Sequence, residues 1–548
     1  MFWGFLLTGF FFTAFGQSHW VSGGGALAGA FGIALFWRSM LMTPKRKNQF
    51  FLAAVWFAAV QAVQLSWLAS TEYMGPLIIA VYVFLCAAIG CQFGLLSLFV
   101  STCMQTAKKR VWLSWMAIAG VWIWMEWIRQ FFLSGFTWNP IGFALADSTL
   151  SLQMASLFGI YGLSFWVILT NLAALKALLE KRKRTTAIWA ALALFPYLFG
   201  SVYQAGLEKK SEAPFFSAAL VQTALLPEQK EFSSERPEAF VPPLDQWERV
   251  FRMFERGKKV DLIVLPEGAF PYGAHRFRYA LNYVKTIWEM HFGRGSSADF
   301  PPLAEPYAQF IEELDLWKVN NAFLAQALAN HFQTPVIIGL DDHDDSSGKK
   351  YNAAFRFIPS GREPERCEKR VLVPVGEYIP LEEWKALSDY VATAFGIGDS
   401  FHPGRDVKVF EGPLPIGVSI CVEETYSALV RDLRLKGAQL FVNVSNDVWF
   451  PRSRLPEHHF QHARVRSVEN GVPTLRSCNT GVTGGIDCFG RPASLFPSSD
   501  DQAGILYLSL PVQSHRTLYT LCGDGAVLGI GLASFVFFLL PGRKKKLP

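Results

Sequence analysis

Charge is scarce in this chain of 548 residues: 18% is Asp, Glu, Lys or Arg, against 51% hydrophobic and 15% aromatic. With a mean hydropathy of +0.22, that scarcity excludes an ordinary soluble enzyme and points to an integral membrane protein. Metal-ligand patterns are missing too. The eight cysteines are scattered, with no CxxC pair, no zinc spacing and no HExxH nearby, so neither a disulfide framework nor a zinc site is expected. His458, His459 and His462 contain an i, i+4 pair but lack a third ligand, and they read as a partly buried polar helix face. Internal repeats and low-complexity tracts are absent. The first apolar run has no basic leader and no small-residue cleavage site, so it is expected to stay as a membrane span. No metal or organic cofactor is implied.

What the chain has in quantity is apolar length. Runs of roughly 17 to 25 residues, enough to cross a bilayer, occur near 2–18, 23–43, 50–70, 76–103, 112–133, 159–179, 186–204 and 523–541, which predicts eight transmembrane helices. Alternate connections are basic, as the positive-inside rule requires: Lys45 to Lys47, Lys108 to Arg110, Lys181 to Arg184 and Arg543 to Lys546. Both termini are therefore expected in the cytoplasm, with residues 205–522 on the other side. The expected organisation is a seven-helix membrane domain over 1–204, an extracytoplasmic domain over 205–522, and an eighth helix with a basic tail over 523–548. Much of the net charge of +6 is thus a topology signal and not a nucleic-acid footprint. Gly25 and Gly29 read as a helix-packing pair. Glu126 and Arg129 are ionisable groups near the outer end of a span, where such groups are costly unless paired or functional. They read equally as an i, i+3 ion pair or as a place where Arg129 meets a lipid phosphate.

From about 213 the pattern changes to short β-rich runs, among them FFSAALVQT, VDLIVLPE, TPVIIGL, YNAAFRFI, PIGVSIC, AQLFVNVSN, VPTLRSC and GILYLSL. Helix candidates at 308–332 and 424–436 lie between them. That interleaving predicts α/β layers, with reactive groups gathered at strand ends. Three such ends carry a Glu, a Lys and a Cys: Glu267 in DLIVLPE, Lys369 in CEKRVLVPVGE and Cys421 in PIGVSIC. A cysteine attacks a carbonyl as its thiolate and needs a base to form it; Glu267 suits that role. The oxyanion that follows needs a fixed positive charge, which Lys369 can supply. Glu377 in VPVGEYIP and Glu423, two residues after the cysteine, are further carboxylates able to orient the lysine or shuttle a proton. Cys367, Cys478 and Cys488 share the external domain, where oxidising conditions favour pairing. A working thiol there needs partial burial.

LPEG, K-x-x-L-V-P-x-G-E-Y-I-P, C-x-E and VNVSNDVWF, in that order, resemble a nitrilase-superfamily domain. With spans around it, and with EWIRQFFLSGFTWNPIGFA from Glu126, the full length resembles the apolipoprotein N-acyltransferase family of bacterial inner membranes. The resemblance implies a four-layer αββα external domain, here periplasmic, with a Glu267, Lys369 and Cys421 triad. It also implies functional roles for Glu377 and Glu423, a place for Asn352 in the shell of the site, and Trp449 as a wall of an acyl pocket. The implied reaction is ping-pong: a phospholipid acyl chain passes through a Cys421 thioester to the amine of the diacylglyceryl-cysteine of an apolipoprotein. The chain departs from the family pattern at Val422, where an aromatic is usual, and at Pro451, where a glycine is usual. A surplus at 274–318 is expected to be a mobile lid or a membrane-facing arm, and 270–283 an exposed apolar loop for the bilayer surface. Two rival readings use the same residues: a membrane-tethered amidase or nitrilase that finishes with water, and a degenerate domain that only binds lipoproteins.

Overall fold

A computed structural model describes residues 1–17, 20–106, 111–132, 135–209, 213–232, 236–255, 257–344, 347–380, 383–395, 400–496 and 502–540. The basic runs at 108–110 and 543–546 lie outside the described residues. The chain forms two compact units. One gathers Met1–Ser211, Arg464–Gly471 and His515–Pro548, and the other Glu212–Ala463 and Val472–Ser514.

The first unit is helical. Among the described residues, Leu77–Met104, Val111–Phe131, Ala155–Glu180, Lys183–Glu208 and Leu518–Leu539 are long and apolar enough to cross a membrane. The other three predicted spans are helical as well but fall short of that standard. Phe2–Phe15 has 14 residues, below the roughly 20 a bilayer needs. The second divides into Gly24–Leu27, a π-helical turn Ala28–Gly32, and Ile33–Met40. The third, Arg46–Gln64, buries Gln49, Gln61 and Gln64. Small residues let these helices touch backbone to backbone: a Cβ at Gly120 would lie 2.6 Å from Gly531 Cα, and one at Gly25 would lie 2.3 Å from Ala144 O. Of the two readings of Glu126 and Arg129, a direct ion pair is absent among the described residues, and each side chain has other partners. Glu126 Oε1 accepts from Trp122 Nε1 and the Ile141 amide, both at 2.8 Å. Arg129 Nε donates to Gln92 Oε1 at 2.8 Å, and its guanidinium lies over the Trp122 ring.

The second unit is α/β. In chain order it lays down β1 (Phe215–Gln222) and β2 (Leu262–Leu265), then an excursion of β3 (Tyr279–Ala280), β4 (Ala308–Ile311) and β5 (Leu316–Val319). Next come β6 (Val336–Asp344), β7 (Lys349–Phe357) and β8 (Glu365–Glu368). They are followed by β9 (Val409–Phe410), β10 (Ile416–Ile420), β11 (Leu440–Ser445), β12 (Thr474–Cys478), β13 (Gly484–Ile486), β14 (Pro492–Leu495) and β15 (Gly504–Pro511). Two six-stranded sheets result, ordered β15-β1-β2-β6-β7-β8 and β14-β13-β12-β11-β10-β9. Strands β1, β2 and β6 are parallel neighbours, as are β10, β11 and β12, so their carboxyl ends fall on one edge of each sheet.

The apolar runs are continuous because these strands are buried on both faces. Ala218, Leu220, Leu262 and Val264 pack with Val418, Ile420, Val442 and Val444 of the other sheet. Their neighbours Ala219, Val221, Ile263 and Leu265 pack with Trp247 and Phe323 of the helices Pro243–Met253 and Asn321–Phe332. On the second sheet, Val430 and Leu433 of the helix Ser427–Leu435 pack with Phe441. Phe460 and Ala463 of the helix Leu455–Asn470 pack with Ile486.

Three sequence expectations change. The helix predicted over 308–332 begins only at Asn321, because β4 and β5 occupy the first part. The 274–318 surplus is folded: β3, β4 and β5 form a three-stranded sheet, and Tyr279, Val284, Trp288, Tyr307 and Ala308 join the main core. A segment that buries Trp288 completely is an extension of the core and no lid. The exposed loop at 270–283 is likewise held down at its start. Phe270 stacks on Trp247 at 3.7 Å, and Asn321 Nδ2 donates to the carbonyls of Pro271 and Gly273.

Candidate active site

Glu267 stands two residues beyond β2. Strand β6 crosses so close to it that a Cβ on Gly339 would lie 2.5 Å from Glu267 Cα, so only glycine fits there. Lys369 directly follows β8, with its amide donating to Asn352 O of β7 at 2.8 Å. Cys421 directly follows β10.

Lys369 Nζ donates to Glu267 Oε1 and to Glu377 Oε1, both at 2.8 Å, and is buried. Asn352 Nδ2 donates to the same two oxygens at 2.7 Å. The other Glu377 oxygen accepts the Val373 amide at 2.8 Å. Burial works to strip the lysine of its proton, but the charges of Glu267, Glu377 and Cys421 outweigh it and hold Lys369 well above its usual value. The site therefore keeps a fixed cation in a dry setting.

Glu423 takes a different place from Glu377. One of its oxygens accepts the amides of Arg370 and Val371, the other the Ile420 amide at 2.8 Å. Burial pushes the Glu423 carboxyl above the usual carboxylate range, and the Ile420 and Arg370 amides oppose that rise. Glu423 thus ties the backbone after Lys369 to the backbone before Cys421, whereas the Lys369 ammonium donates to Glu267 and Glu377.

Cys421 has a φ of 51°, a left-handed conformation that costs a residue with a Cβ on the order of 1–3 kcal/mol. Its carbonyl supplies part of the compensation, accepting from Asn443 Nδ2 at 3.2 Å and facing His459 Nε2 at 3.3 Å. His459 is itself fixed: its Nδ1 lies 2.8 Å from Asp447 Oδ1, and its Nε2 lies 3.0 Å from Glu424, which pairs with Arg476 at 2.7 Å. All four side chains are buried. Burial pushes the Cys421 thiol well above its ordinary value, and Glu267 and Asp447 add to that. Lys369 and the Ser445 hydroxyl pull the other way. The resting sulfur is a thiol beside a base.

Sequence reasoning named Glu267, Lys369, Cys421, Glu377, Glu423 and Asn352, and they gather around the ends of β2, β8 and β10, with Asn352 reaching in from β7 and Glu377 from the loop after β8. Trp449 lies in the loop after β11, 43% exposed. Arg129 belongs to the helical unit. The three histidines are fully buried, deeper than the partly buried face expected. Among the described residues no group of three His, Cys, Asp or Glu side chains could hold a metal ion. Asn443, Ser445, Asp447 and His459 were missed as site residues, although VNVSNDVWF and the histidine run were both conspicuous. Lys230 was missed outright: it donates to Gly268 O beside Glu267, and burial lowers it to about 8 although Asp341 and Glu267 oppose this. Among the described residues no disulfide forms, and Cys367, Cys478 and Cys488 are buried.

The α/β unit carries the signature of the carbon–nitrogen hydrolases, the nitrilase superfamily: residues 217–499 match the family described as Carbon-nitrogen hydrolase. Residues 20–173 match the Apolipoprotein N-acyltransferase N-terminal domain. The chain is 31% identical over 516 residues to apolipoprotein N-acyltransferase of Chlamydia pneumoniae, covering 91% of this chain and 90% of that protein. It is 30% identical to the Chlamydia caviae protein of the same name, covering 93% and 92%. The corresponding Geobacter metallireducens protein is 27% identical, covering 78% and 74%. A fainter likeness, at 18% identity and a TM-score of 0.35, is to Saccharomyces cerevisiae Nit3, covering 56% of this chain and 93% of that one. The chain belongs to the apolipoprotein N-acyltransferase family and is an acyltransferase.

Proposed function

We infer that this enzyme moves an acyl chain from a membrane phospholipid to the N-terminal amine of S-diacylglyceryl-cysteine in apolipoproteins, through a thioester on Cys421. Glu267 takes the thiol proton as sulfur adds to the ester carbonyl, and Lys369 steadies the oxyanion. The carbon–oxygen bond then breaks, and the proton passes from Glu267 to the departing glycerol oxygen. In the second half the neutral amine attacks the thioester, the carbon–sulfur bond breaks, and the amine's proton returns to sulfur by the same carboxylate. Glu377 and Asn352 orient Lys369, Glu423 holds the two strand ends in register, and Trp449 borders the acyl chain.

The observation that carries this reading is the Glu267 and Lys369 contact at the strand ends beside Cys421, in a chain of this family. Membership disfavours the hydrolase alternative, in which water takes the place of the amine. Both substrates are anchored lipids, which suits a chain with several apolar helices. The same reading places eight spans in the bacterial inner membrane, both termini in the cytoplasm, and a four-layer αββα domain over 205–522 in the periplasm. Among the described residues the buried Arg129 Nη2 has no hydrogen-bond partner, which supports Arg129 as a contact for a lipid phosphate.

Intact mass of the purified protein after exposure to phospholipid tests the chemistry. One acyl group should appear on Cys421, be released by neutral hydroxylamine, and be discharged by an apolipoprotein amine far faster than by water. Cys421→Ala should abolish adduct and transfer together. Discharge by water at the same rate would establish the hydrolase. A periplasm-dependent reporter fused after residue 210 should be active, and silence there would overturn the topology.

A further inference from the structure

The end of β11 adjoins the nucleophile. Parallel pairing sets Ile420 of β10 opposite Val444 of β11, so Cys421 and Ser445 are the next residues at the two strand ends. Asn443, on the same face of β11 as Ser445, sends its Nδ2 to Ser419 Oγ at 3.1 Å and to Cys421 O at 3.2 Å. That face of β11 therefore lies against the turn that carries the sulfur. The Ser445 backbone is occupied, its carbonyl accepting the Asn479 amide at 2.9 Å. Its side chain is completely buried, and among the described residues its Oγ has no hydrogen-bond partner. The Cys421 sulfur is a group on which it acts, and the hydroxyl opposes the upward push of burial on that thiol.

A buried hydroxyl without a partner is a cost that a fold normally avoids. A thiol relieves it poorly, being a weak acceptor. A thiolate accepts well, since hydrogen bonds to charged groups are the stronger ones. The cost is therefore paid in the resting enzyme and recovered only when sulfur carries charge.

We propose that Ser445 is a further catalytic residue, donating its O–H to Cys421 Sγ and stabilising the thiolate both as it attacks the phospholipid ester and as it leaves the thioester. The serine keeps its proton throughout; the transferred proton moves between sulfur, Glu267 and the leaving or entering group as described above. The inference rests on Cys421 being the nucleophile.

The test is Ser445→Ala in the full-length protein, with iodoacetamide alkylation of Cys421 followed by peptide mass over a range of pH. The variant should alkylate and acylate about ten- to a hundred-fold more slowly than the parent at neutral pH. The parent rate should return only at higher pH, and the melting temperature should hold or rise because the hydroxyl removed had no partner. Ser445→Thr, which keeps the hydroxyl, should restore the parent pH profile. An unchanged alkylation profile in Ser445→Ala would overturn the proposal, as would a lower melting temperature with activity lost in proportion. If Cys421→Ala still forms an acyl adduct, the nucleophile assignment fails; if it forms none while Ser445→Ala acylates at the parent rate, only the serine's role fails.

Discussion

Lys369 Nζ and Glu267 Oε1, which stand 102 residues apart in the chain, meet at 2.8 Å with Asn352 bound to the same carboxylate oxygen. The pair is nearly dry, so the lysine's charge acts on the site with little screening from water. Lys369 also has Glu377 at the same distance, which leaves Glu267 the carboxylate shared between lysine and the thiol's proton.

Because burial holds the Cys421 thiol above its ordinary value, the resting enzyme should alkylate slowly at neutral pH. Its rate should climb with pH and still be rising above about pH 9, past the range in which a free thiol ionises. The sign follows from the thiolate being the reactive form. Cys367 and Cys478, pushed up to about 12 by burial, should stay unlabelled in the folded protein. A plateau for Cys421 below pH 7 would mean that the thiol is already ionised at rest.

Glu377 and Glu423 should separate on substitution. Glu377→Gln removes a charge from Lys369 while keeping an oxygen in place, so acylation should fall about ten-fold or more with little change in melting temperature. Glu423→Gln leaves a single oxygen where the carboxylate used both against three backbone amides. A buried amide donor without a partner costs about 1–3 kcal/mol, so stability and acylation should fall together. Equal melting curves for the two variants would contradict this division.

Trp288 is completely buried between Phe251, Phe292 and Phe300. Trp288→Ala should cost about 3–5 kcal/mol of stability, read by denaturant unfolding, and deletion of 274–318 should give an unfolded protein. A deletion variant that folds and transfers acyl chains from a soluble ester would show that the excursion is dispensable.

Much of this protein is legible in its sequence. Continuous apolar runs ended by Pro266, Glu267 or Cys421 announce buried strands, and each of the eight runs read as strands contains a strand. Placement of reactive groups at strand ends is a local property, and so is the bias toward long apolar helices. Contacts across the sheets are another matter. Periodicity says that Glu423 follows the nucleophile, but only the packing of β8 beside the end of β10 turns its carboxylate onto backbone amides and away from Lys369. It says that 274–318 is rich in aromatics, which suits a lid and a core equally; the difference lies in whether Trp288 finds Phe251. The histidine run reads as a partly buried polar helix face, and only the fold puts Asp447 and the Cys421 carbonyl against His459. Sequence by itself determined which residues can do chemistry and where the chain becomes apolar. Tertiary structure alone decided which polar groups share a partner, because burial forces each to find one and the available partner depends on strand order across both sheets.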